Sequence, residues 1–182
     1  LESKWKIDKK NFIILLPGRL TKWKGQEIFI ESLSVLVEKY NKENFHAIIL
    51  GSNQGREVYS KKLLLLTERY RLKKKITYIE NCKEMPLAYK LSDLVVSCSI
   101  EPEAFGRVAV EAQAMTKPIV ASDIGGSRET VLNGKSGLFY KYNDPKELAK
   151  AINKIMELDK KSLCLMGEQG RKNVEKKFNV DQ

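Results

Sequence analysis

Six short apolar runs, each followed by a helical pattern, constrain the fold of this chain more than any other feature. They are NFIILLP (11–17), FHAIIL (45–50), KITYIE (75–80), DLVVSCS (93–99), PIVASD (118–123) and GLFY (137–140). Near-continuous apolarity over so few residues suits strands covered on both faces. Between the first two runs, Phe29, Leu33, Leu36, Val37 and Tyr40 fall at the spacing of one helical face. Further helices are predicted over 56–72, within PLAYKLS, from about Phe105, within GGSRETVLN, and twice after Pro145. Strand–helix alternation of this kind predicts an α/β fold: a doubly wound Rossmann-like parallel sheet of about six strands, in one domain over residues 1–182.

Composition narrows the function classes. With 42% hydrophobic and 31% charged residues, the chain reads as globular rather than disordered. Runs such as FIILL are far too short to span a bilayer. Cys82, Cys98 and Cys164 are scattered without metal-ligand spacing, which suits reduced thiols and a cytoplasmic location, and no metal site is expected. The net charge of +10 leaves three readings: a solvated lysine surface, peripheral contact with an anionic membrane, or nucleic acid. Lysines are spread along the chain, with one tight cluster at Lys73–Lys75. Nucleic acid calls for aromatics interleaved with a concentrated basic face. Only Trp5 and Trp23 lie near lysines in that way, so no nucleic-acid partner is expected.

In doubly wound sheets, ligands sit outside the carboxyl ends of the strands. Here those ends carry Gly18 and Arg19, Gly51 to Asn53, Asn81, Ser99 to Glu103, and Asp123 to Gly126. A nicotinamide dinucleotide would ask for G-x-G-x-x-G after the first strand and an acid closing the second; the chain has PGRLTKWKG and Gly51. A Walker-type phosphate loop is absent as well. His46, inside the second apolar run, reads as a strand histidine. Arg19 and Lys24 bring two cations to one mouth, and helix N-terminal amides beside them complete a cradle for a diphosphate without a metal ion.

The segment EPEAFGRVAVEAQA (101–114) poses the sharper problem, because Glu111 lies among Val, Ala and Met. A carboxylate is costly to bury unpaired. Either Glu111 faces water, or it has something to bind. A helix starting near Phe105 leaves the amides of Phe105, Gly106, Arg107 and Val108 unpaired, with Glu103 and Glu111 flanking them roughly 10 Å apart at the helical rise. Hydroxyl-rich groups on either side of a diphosphate match that layout.

PGRLTKWKG, EAFGRVAVEAQAMTKPIVAS and GGSRETV together resemble the donor-binding domain of group-one retaining glycosyltransferases of the GT-B architecture. Glu103 and Glu111 fit that family's E-x7-E pattern, and Arg19 with Lys24 fits its basic pair. The resemblance implies a UDP- or GDP-sugar as substrate, with no cofactor and no metal. It assigns Glu111 to the ribose, Glu103 to the transferred sugar, and Arg19 and Lys24 to the diphosphate. Backbone contacts from Gly18 and from Phe105 to Val108 are implied too, with base contacts from Gly51 and the loop at Asn81. It further implies an amino-terminal domain that holds the acceptor, so residues 1–182 are expected to be the donor half and inactive alone. Cell-envelope or lipid-linked glycan synthesis is the expected setting, at the inner face of the membrane if peripheral. A non-catalytic nucleotide-binding module and a basic nucleic-acid-binding domain are the alternatives. Two positions depart from the family's pattern: Thr116 and Asn53 stand where glycine is common.

Overall fold

The computed structural model describes residues 2–5, 7–8 and 10–178; residues 179–182, where the last helical pattern breaks off, lie outside the described residues. Six strands form one fully parallel sheet: β1 (Phe12–Pro17), β2 (Phe45–Leu50), β3 (Ile76–Ile79), β4 (Leu94–Ser97), β5 (Ile119–Ser122) and β6 (Gly137–Tyr140). Their order is β3-β2-β1-β4-β5-β6. Each strand lies inside its apolar run. Side chains alternate between faces with period two, so each run feeds two cores. Ile14 and Leu16 enter one, with Phe29, Leu33 and Ile152; Ile13 and Leu15 enter the other, with Tyr89 and Ala112.

The helices are α1 (Glu2–Trp5), α2 (Gln26–Tyr40), α3 (Glu57–Arg69), α4 (Met85–Leu91), α5 (Arg107–Ala114), α6 (Ser127–Thr130), α7 (Pro145–Met156) and α8 (Lys160–Lys177). Local chemistry sets several ends. Asp144 accepts hydrogen bonds from the Lys146 and Glu147 amides, with Pro145 opening α7, and Asp159 accepts one from Ser162 at the start of α8. The helix expected over 56–72 stops at Arg69, because Arg71 turns left-handed (φ 56°). The pattern around TKWKG resolves into a separate 3-10 turn, Lys22–Lys24, with Gly25 between it and α2.

Two sequence expectations need correction. The short helix α1 had no readable periodicity in four residues, yet Trp5 is buried against the second core. Trp5 is thus unavailable to a nucleic acid. The helix expected from Phe105 begins at Arg107 instead, because Gly106 takes a left-handed conformation (φ 71°) that interrupts the regular turn. Glu103 therefore lies on irregular backbone, and its separation from Glu111 cannot be read from the helical rise.

Thr116 replaces the expected glycine without changing how α5 ends. It takes φ 57°; its N–H bonds the Gln113 carbonyl at 2.9 Å and the Lys117 N–H bonds that of Ala112 at 2.9 Å. This is the usual glycine-type closure, adopted by a β-branched residue at a conformational cost.

The sheet order fixes where a ligand can sit. β2 and β3 extend from one side of β1, while β4 to β6 extend from the other. Connections leaving β1 and β4 diverge to opposite sides, which opens a crevice above their carboxyl ends.

Candidate functional site

A cleft of about 440 Å³ occupies that crevice. The loop after β1 supplies Gly18, Arg19, Trp23 and Lys24; the ends of β2 and β3 supply Gly51 and Asn81; and the segment after β4 with α5 supplies Glu103, Arg107, Val108 and Glu111. Nine of the eleven sequence-predicted site residues therefore line one cavity. Phe105 and Gly106 do not. Phe105 points away, its ring edge-on to Phe178 at 5.3 Å, and Gly106 is buried at the start of α5. Among the described residues, the N–H groups of Phe105, Gly106, Arg107 and Val108 donate to no protein acceptor. The unpaired amides thus exist as expected, although the helix starts two residues later.

Close backbone approach builds the cleft floor. A Cβ on Gly51 would lie 1.9 Å from the Gly18 carbonyl oxygen, so the loops after β1 and β2 touch only because Gly51 has no side chain. A second contact fixes Glu103. Gly125 (φ 55°) packs so that a Cβ there would meet the Glu103 oxygen and nitrogen at 2.7 and 2.8 Å, while the Gly126 N–H bonds the Glu103 carbonyl at 2.8 Å.

The polar groups divide into two clusters. In one, Lys24 Nζ lies 2.8 Å from Glu103 Oε1, with both side chains mostly shielded, and 4.4 Å from the centre of the Trp23 ring. The Ser99 hydroxyl also donates to Glu103 Oε1. In the other, the Tyr89 hydroxyl donates to Glu111 Oε2 at 2.6 Å. Tyr89 is 2% exposed, and burial raises its pKa, reinforced by the Glu111 bond. Glu111 itself is exposed to the cleft. Both halves of the sequence question are answered: Glu111 reaches solvent, and a buried hydroxyl holds it.

The charge balance in the cleft is close. Arg19, Lys24 and Arg107 face Glu80, Glu103 and Glu111. Since Lys24 pairs with Glu103, and no ion pair engages Arg19 or Arg107 among the described residues, these two guanidinium groups are the cations open to a ligand. The excess positive charge of the chain lies elsewhere, including a basic hollow of about 510 Å³ lined by Arg71 and Lys73 to Lys75, at the amino ends of β2 and β3. His46 lines that hollow, bonded to Thr77 at 2.8 Å, and is no part of the cleft. Among the described residues, no cluster of three or more His, Cys, Asp or Glu could hold a metal ion, and no helix is long and apolar enough to cross a membrane.

Sequence reasoning missed Tyr89, and valued Arg107 only for its backbone. The run PLAYKL reads as a core-facing helix, which is true of the Tyr89 ring; nothing local in the sequence announces that its hydroxyl meets a residue 22 positions on.

The profile of the family described as "Glycosyl transferases group 1" matches residues 1–173. The capsular polysaccharide biosynthesis glycosyltransferase CapM of Staphylococcus aureus is 30% identical over 98% of this chain and 46% of its own length. Among solved structures, Alr3699/HepE from Anabaena, in complex with UDP and glucose, superimposes with a TM-score of 0.88 at 31% identity, covering 94% of this chain and 46% of that one. The C-terminal domain of the group 1 protein LpcC from Francisella tularensis gives a TM-score of 0.83 at 26% identity, covering 98% of this chain and 93% of that domain. The chain spans less than half the length of the curated relatives it matches.

Proposed function

Because this chain belongs to the group 1 glycosyltransferases, we propose that its cleft is the donor site of a retaining enzyme and holds a nucleoside-diphosphate sugar. The observation that carries this reading is the convergence of Arg19, Lys24 and Arg107 with the unpaired amides of Arg107 and Val108 between two carboxylates, at the switch point of the sheet. Arg19, Arg107 and the amides of Arg107 and Val108 bind the diphosphate, and Lys24 bridges it to Glu103. Fixed positive groups of this kind take the place of a metal ion at a leaving diphosphate. Glu111 accepts from the ribose, and Gly51 with Asn81 frames the base. UDP is the favoured nucleotide, since the Anabaena relative carries it.

In the proposed reaction, the bond between the anomeric carbon and the diphosphate oxygen breaks as the acceptor oxygen attacks from the same face. The acceptor's proton passes to the departing phosphate oxygen. Of the Ser and Cys residues, Ser52 and Cys82 line the cleft and have no base bonded to them among the described residues. Ser99, whose hydroxyl donates to Glu103, is buried outside the lining, so no Ser hydroxyl or Cys thiol is presented for a covalent route. Glu103 orients the sugar and stabilises positive character at the ring. An acceptor-binding domain elsewhere in the full protein completes the site, residues 1–182 being the donor half. The similarity to CapM supports a role in envelope polysaccharide synthesis; the location proposed with it is the cytoplasmic side of the membrane.

Titration calorimetry with UDP, GDP and ADP tests the reading. Saturable binding of one nucleotide, weakened about tenfold or more by Arg19→Ala, is expected. Equal or absent binding of all three by the folded chain would rule it out.

A further inference from the structure

We propose that Tyr89 is a positioning residue whose hydroxyl holds Glu111 as the acceptor that selects the 2′-hydroxyl of the ribose. This rests on the donor-site reading above and extends it to a residue with no role so far. The geometry leaves the pair little freedom. The Tyr89 ring is packed in the second core from α4, and its hydroxyl emerges at the cleft wall to donate to Glu111 Oε2 at 2.6 Å. Burial keeps that hydroxyl protonated, so the direction of the bond is fixed.

Having given its only proton to Glu111, the Tyr89 oxygen can only accept. Glu111 Oε1 has no protein donor among the described residues, and an ionised carboxylate also only accepts. The two side chains therefore present acceptors alone. The ribose 2′-hydroxyl, with its one proton to donate, complements Glu111 Oε1, which the Tyr89 bond to Oε2 holds in place. A 2′-deoxy ribose satisfies one acceptor fewer, and a 2′-phosphate would bring negative charge against Glu111. Arg107, one turn earlier on α5, lines the same cleft without pairing to Glu111, so it is free for the phosphates on that side. The selectivity thus comes from a polarity set by a buried tyrosine, rather than from the carboxylate alone.

Titration of the chain with UDP and 2′-deoxy-UDP tests this directly. Wild-type protein should prefer UDP about tenfold or more, the worth of a hydrogen bond to a charged acceptor. Tyr89→Phe keeps the ring in place and should lower UDP affinity about tenfold while leaving 2′-deoxy-UDP within about twofold, so that the preference collapses. Glu111→Gln, at a cleft-exposed position, should collapse it in the same way and guards against a folding defect in the first variant. Equal weakening of both nucleotides by Tyr89→Phe, or an undiminished preference, would overturn the pair. If wild-type protein bound UDP without discriminating, only this inference would fall; if it bound neither nucleotide, the donor-site reading would fall with it.

Discussion

Glu103 and Glu111 face one cleft from opposite structural backgrounds. Glu103 lies on irregular backbone after β4, gripped by the Gly125–Gly126 turn, bonded by Ser99 and paired with Lys24. Glu111 lies on regular helix, stays exposed, and takes one neutral hydroxyl from Tyr89. The first is thus a charge-compensated group whose position depends on distant parts of the chain. The second is an uncompensated carboxylate whose position follows from helical geometry. A site that must stabilise charge near a reacting carbon, yet bind neutral hydroxyls farther away, calls for that division.

Removing the cation should separate the two most sharply. Lys24→Met should weaken UDP binding about thirtyfold and also lower stability, because Glu103 loses its partner in a shielded setting. Adding Glu103→Gln should recover the stability but not the binding. If Lys24→Met changed neither, the Lys24–Glu103 pair would be incidental to the site.

The backbone grip on Glu103 comes next. Gly125→Ala forces a Cβ into the Glu103 main chain at a left-handed position and should cost about 2 kcal/mol by urea denaturation. A cost below about 0.5 kcal/mol would mean that the loop yields and Glu103 is not held there.

On the other side of the comparison, Thr116→Gly relieves a left-handed threonine at the end of the helix that carries Glu111. It should stabilise the chain by about 1 kcal/mol and leave UDP affinity unchanged. An affinity change would show that α5 does not place Glu111 independently of its terminus. The smallest effect is expected for Glu111→Gln on stability, within about 0.5 kcal/mol, since the side chain is exposed and neutral hydroxyl bonding survives. A larger loss would give Glu111 a structural role.

The same contrast explains what could be read from the sequence. Strand positions followed from apolar runs because a sheet covered on both faces needs little else, and NFIILLP contains β1 with one residue to spare. Arg19, Lys24 and Glu111 fell into place because each follows a strand or sits in a regular helix. The path from Glu103 to Arg107 did not, since Gly106 breaks the helical pattern through a backbone conformation that side-chain periodicity cannot register. The Tyr89–Glu111 and Lys24–Glu103 contacts join residues 22 and 79 positions apart, so no local signal encodes them.

The most direct test of the central claim is an amide NMR titration of the chain with UDP at two salt concentrations. The account predicts saturable shifts at Gly18, Lys24, Arg107, Val108 and Glu111, retained at the higher salt, with Lys73–Lys75 at the other end of the sheet unmoved. Shifts confined to Lys73–Lys75 and abolished by salt would contradict it, and would mean that only the charge of the chain attracts the nucleotide.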